Sequence, residues 1–133
     1  MARPVMGITD VREAIAWQAS HADRADAPIT GRVVRAELAI LDTPTEMARR
    51  MSGWPGLSLE DAMPLRVAAG LHWLFLSGED RRLEPVYAGL LTDQRSIDAI
   101  VSSGTPVSSP VELQQALLQR PIPLMRTFTE NLL

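Results

Sequence analysis

The sequence predicts an all-α domain: a compact bundle of six or seven helices around a central apolar helix at about residues 62–77. Three observations predict it. Helix start signals recur along the chain, with Asp, Ser or Thr placed three residues before Glu. Apolar residues recur three and four apart between those signals. No stretch of strand-like alternation, internal repeat or low-complexity tract stands out.

The elements follow in order. Asp10 can cap a first helix with Glu13 three residues on, running to about His21 with Val11, Ala14, Ile15 and Ala22 on one face. Residues 23–28 read as a linker. Ile29, Val33, Ala36 and Ile40 then mark a second helix, its stripe widened by Val34, Leu38 and Leu41. In "TPTE", Thr43 is expected as an N-cap, Pro44 as the first helical residue and Glu46 as the capping-box acid, with Gly53 as a left-handed stop. "GWPG" is a turn. Asp61 or Ser58 is expected to start the apolar helix, which holds Pro64 in its first turn and stops at Gly78. A further helix is expected over 81–91, and another over 93–103 with Ile97, Ile100 and Val101 inward. "SSPVELQQALLQ" repeats the start signal, with Ser109 as cap, Pro110 first and Glu112 third.

The chain of 133 residues is one domain's length and enough to bury a core. Hydrophobic residues at 46% and charged residues at 22% place it among globular rather than disordered chains. Its net charge of −3 makes it a poor nonspecific ligand for nucleic acid or an anionic membrane. Cysteine is absent, which removes disulfides and thiolate chemistry and fits a reducing, cytoplasmic setting. No secretory leader or membrane-length apolar run is apparent. All 13 basic residues are arginine, a pattern that suggests a GC-rich genome more than a function.

The chemistry-bearing residues are few. On the apolar helix, Arg66, Gly70, Trp73 and Ser77 share one narrow stripe, and His72 falls outside it on the packing side. His72 reads first as a hydrogen-bonded core histidine, with ligand binding the alternative. Arg66 reads as a surface ion pair with Asp61 or Glu60, or as a clamp on a carboxylate or phosphate. Trp17, Trp54 and Trp73 read as core anchors or as an aromatic pocket. Glu60-Asp61 and Glu79-Asp80 read as helix-end acids. His21 with Asp23 and Asp26 lacks sustained metal-ligand spacing, so no metal and no cofactor is assigned. Nucleotide, hydrolase and zinc-protease motifs are not found, and no catalytic residue is nominated.

Several landmarks fall in a recognisable order: Trp17-Gln18, Ala27-Pro28-Ile29-Thr30, Trp54-Pro55-Gly56, Asp61-Ala62, Pro64-Leu65-Arg66, Gly70-Leu71-His72, Ser77-Gly78 and Leu83 through Tyr87. Over about residues 13–100 the chain thereby resembles the N-terminal half of the bacterial domain-of-unknown-function 2332 family. The resemblance implies no known activity. It implies longer relatives, whose later half looks like a nucleotide or S-adenosylmethionine fold and opens on a Pro-Gln-Thr-Asn-Glu stretch. This chain has "RPIPLMRTFTENLL" there instead. The expected organisation is a helical domain over 1–104 and a divergent helix and tail over 105–133, packed on the same domain, the tail being native, truncated or frame-shifted. The expected function is a non-enzymatic interaction or accessory module, partnered by itself or by the missing half. The alternative is a small-molecule or enzymatic cleft near Arg66, His72, Trp54 and Tyr87.

Overall fold

The computed structural model describes residues 10–103. They form six α-helices and one 3₁₀ turn, with no strand among the described residues. The helices are α1 (Val11–Arg24), α2 (Pro28–Leu41), α3 (Glu46–Ser52), α4 (Met63–Leu76), α5 (Glu84–Tyr87) and α6 (Gln94–Ser102). The 3₁₀ turn, Arg81–Leu83, runs directly into α5. The all-α expectation holds. The helix expected from Ser109 lies outside the described residues.

Asp10 caps α1 as expected, its carboxylate accepting from the backbone N–H of Arg12 at 2.7 Å and of Glu13 at 3.2 Å. The helix outlasts its expected stop at His21 and ends at Arg24, leaving a short link in which Asp26 takes the left-handed conformation. Pro28 then opens α2 at a position where a missing N–H costs nothing. Gly31 lets α1 and α2 approach closely. A Cβ there would lie 3.2 Å from the Ala19 carbonyl and would overlap the Asp23 carboxylate, which accepts from Arg35 at 2.8 Å.

The third start signal is shifted. Thr45, not Thr43, caps α3, its hydroxyl accepting from the Ala48 N–H at 3.2 Å. Thr43 instead donates back to the Ile40 carbonyl at 2.7 Å, closing the end of α2. Glu46 is therefore the first helical residue and pairs with Arg49 at 2.7 Å rather than forming a capping box. Gly53 follows α3 with φ −98°, so it is no left-handed stop.

Neither Asp61 nor Ser58 caps α4 through its side chain. Residues 57–62 wind a turn in which the Ser58 carbonyl accepts from the Met63 N–H at 2.8 Å, and Ala62 enters the helix at φ 55°. Pro64 sits in the first turn as expected. Gly78, at φ 80°, stops α4 in a Schellman arrangement: its N–H donates to Phe75, and that of Glu79 donates to Leu74. The helix expected over 81–91 is only the 3₁₀ turn plus α5. Gly89, at φ 75°, ends α5 by the same device, with the Leu90 N–H reaching the Pro85 carbonyl at 3.0 Å.

One core joins every element. Ile15 and Ala19 of α1 meet Val33, Val34, Ala36 and Ile40 of α2, Met47 and Met51 of α3, and Met63, Val67, Leu71 and Leu74 of α4. Leu83, Val86, Ile97 and Val101 complete it. α4 is the most apolar helix, while α2 touches the most neighbours, packing on α1, α3, α4 and α6. The α2–α6 contact carries a polar pin, as Gln94 donates to the Arg32 carbonyl at 2.9 Å.

Candidate functional site

Two polar clusters lie along α4. The first is at its N-terminal end and closes the 54–61 loop. The Trp54 indole N–H donates to an Asp61 carboxylate oxygen at 2.8 Å. Gly56 makes room for that oxygen: a Cβ there would collide with it. Gly56 has no positive φ, so space rather than conformation requires glycine. Arg66 does not pair with the Asp61 carboxylate as expected. Its Nε donates to the Asp61 main-chain carbonyl at 2.9 Å, one turn outside the helix. Trp54 and Arg66 are thus both committed to the same short segment.

The second cluster lies six residues further along α4, about 9 Å up the axis and on a different face. His72 stacks on Tyr87 of α5 with centroids 4.7 Å apart, and Phe75 stacks on the same ring at 5.0 Å. His72 and Phe75 are themselves 6.4 Å apart, so the three rings form a triangle rather than a column. Partial burial holds the His72 imidazole below its ordinary value and favours the neutral ring. The four residues nominated from the sequence therefore separate into two pairs, Trp54 with Arg66 and His72 with Tyr87.

The second cluster holds a residue that sequence reasoning passed over. Glu37 of α2 is 0% exposed, and neither carboxylate oxygen has a hydrogen-bond partner among the described residues. Burial pushes its carboxyl well above the ordinary glutamate value of 4.5, so the neutral acid is favoured. The Tyr87 hydroxyl is also buried without a partner. Its phenol is held above the ordinary value by burial first, then by the negative charges of Glu37 and Asp80. Asp80 is 4% exposed and caps the 3₁₀ turn, accepting from the Arg82 backbone and, at 3.2 Å, from its guanidinium. A carboxylic acid, a phenol and a carboxylate from three elements thus share one buried electrostatic environment beside the rings. The signal in the sequence was Glu37's position four residues after Val33 and three before Ile40, at the centre of the apolar stripe.

Elsewhere, Trp17 stacks on His21 at 5.1 Å and packs with Ala14 and Leu59. Among the described residues no three His, Cys, Asp or Glu side chains gather as metal ligands. No described helix is long and apolar enough to cross a membrane.

Fold and site together define a small helical-bundle protein with a buried acidic centre beside an aromatic triangle. The chain belongs to the bacterial family described as "Uncharacterized protein conserved in bacteria (DUF2332)", which it matches over residues 12–121. The match runs beyond the stretch that carried the resemblance in the sequence and covers most of the chain. No curated protein and no solved structure matches it.

Proposed function

We propose that this domain is a non-enzymatic helical interaction module that associates with a second copy of itself. The observation that carries the reading is a pair of strongly exposed leucines, which form the proposed edge. Leu76, the last residue of α4, is 65% exposed, and Leu90, just past α5, is 82% exposed. The Phe75–Tyr87 stack ties together the segments that carry them. Exposed aliphatic side chains that join into a contiguous patch are a usual mark of an interaction surface. The alternative cleft between Arg66, His72 and Trp54 gains no support, because Trp54 and Arg66 engage Asp61 at one end of α4 while His72 stacks on Tyr87 further along it and on a different face. A cysteine-free chain fits work in the cytoplasm.

Sedimentation equilibrium over a hundredfold concentration range tests the proposal, with Leu76→Asp and Leu90→Asp alongside. The expected result is reversible association of the parent chain and its loss in both variants at unchanged helicity. A parent chain that stays monomeric throughout refutes it.

A further inference from the structure

We propose that Glu37 is a proton-binding site that latches α5 onto the bundle: the neutral acid holds the segment from Arg81 to Tyr87 closed, and ionisation releases it. The geometry carries this. Glu37 has no exposed surface and no partner for either oxygen among the described residues, and an unpaired buried carboxylate is far more costly than a buried carboxylic acid. Ionised, the group must gain water or a cation, so some neighbouring element has to yield.

The element built to yield is α5. It is a single turn of four residues, too short to hold as an isolated helix. It is bracketed by two glycines in the left-handed region, Gly78 at φ 80° and Gly89 at φ 75°, which can serve as hinges. It carries Tyr87, whose buried hydroxyl is likewise unpartnered, and it follows directly on the turn capped by Asp80. The long helices have no such freedom.

The charges around Glu37 add to the effect. Burial alone sets its ionisation, and among the described residues no cation of α1, α3, α4 or α6 offsets it. Tyr87 feels the negative charge of both Glu37 and Asp80, so a Glu37 carboxylate adds like charge beside Asp80. Arg82 already occupies Asp80. His72, behind the Tyr87 ring, is held below its ordinary value of 6.5 by burial, so its titration acts on the acid side of that value, where it opposes the Glu37 effect, and it leaves the range above 6.5 to Glu37.

The direction follows from linkage. The folded domain holds the Glu37 proton more tightly than the open one. The latch is therefore strongest at or below the ordinary value of 4.5 and weakens as pH rises towards the folded-state value. One proton changes the opening equilibrium by at most about tenfold per pH unit.

Amide hydrogen exchange between pH 6.5 and 8.5, above the range in which His72 titrates and corrected for intrinsic rate, tests this on the full chain. Protection across residues 79–91 is expected to fall by up to about tenfold per pH unit while α2 stays protected. In Glu37→Gln the profile should be flat, and Glu37→Leu serves the same arm should the amide variant not fold. Tyr87→Phe should keep the parent dependence. The proposal is overturned if protection of 79–91 does not change with pH in the parent chain. It is also overturned if Glu37→Gln keeps the parent slope, if Tyr87→Phe abolishes it, or if α1, α2 and α6 lose protection equally.

Discussion

The loop from Trp54 to Asp61 makes a quantitative prediction, because two of its residues serve a single hydrogen bond. Asp61→Ala removes the acceptor of the Trp54 indole N–H, a charge-assisted bond at 2.8 Å. Such bonds contribute about 1.5–3 kcal/mol. Asp61 is exposed, so the lower end applies, and a loss of about 1–2 kcal/mol is expected. Gly56→Ala attacks the same bond from the other side, since its Cβ would take the place of the Asp61 oxygen. It should cost a similar amount, reduced by about 0.4–1 kcal/mol for the stiffer unfolded chain. The double variant should then be little worse than Asp61→Ala alone, because the bond can be lost only once. Urea unfolding followed by far-UV circular dichroism, run as a double-mutant cycle, gives the coupling directly. A value near 1 kcal/mol or more supports the argument. Additivity within about 0.5 kcal/mol would refute it, since Gly56 and Asp61 would then act independently.

Three further outcomes are expected. Leu71→Ala, at a side chain 1% exposed in the shared core, should destabilise by about 2–5 kcal/mol in the same unfolding assay. Gly78→Ala meets open space but keeps φ 80°, so it should cost about 1–2 kcal/mol from backbone strain alone, read as a lower melting temperature with unchanged helicity. His72, favoured neutral in the folded chain, should make stability fall as pH drops below the ordinary imidazole value of 6.5. His72→Phe should remove that acid-side slope in melts at pH 5 and 7.

The fold was legible where local rules and packing agree. Asp10 and Gly78 act as the sequence implies, because each needs only its own turn to form its bonds. Thr43 and Thr45 show the limit: both can cap, and the choice of Thr45 depended on Thr43 first closing α2 against Ile40. The start of α4 was misread for a related reason. Its entry is set by the Ser58 carbonyl and a left-handed Ala62, which no capping pattern encodes. The helix expected over 81–91 stops short, because α5 ends at Tyr87 and Gly89 takes the left-handed conformation just after it. At the site, the stacking of His72 on Tyr87 depends on the Gly78 stop folding α5 back, a tertiary outcome. Glu37 was visible in the apolar stripe, but only burial distinguishes an inward acid from one that reaches out to solvent.

Movement of α5 also bears on self-association. The Leu90 N–H donates to the Pro85 carbonyl of α5 at 3.0 Å, so opening of α5 releases one of the two leucines of the proposed edge. If association uses that edge and Glu37 governs the segment, association must weaken as pH rises, although no titrating group sits among the contacting leucines. The linkage is bounded: one proton can alter the affinity by no more than about tenfold per pH unit. Glu37→Gln should hold the affinity constant over the same range while leaving Leu76 and Leu90 untouched. Association that is equally pH-dependent in that variant would place the titrating group elsewhere and separate the edge from the buried acid.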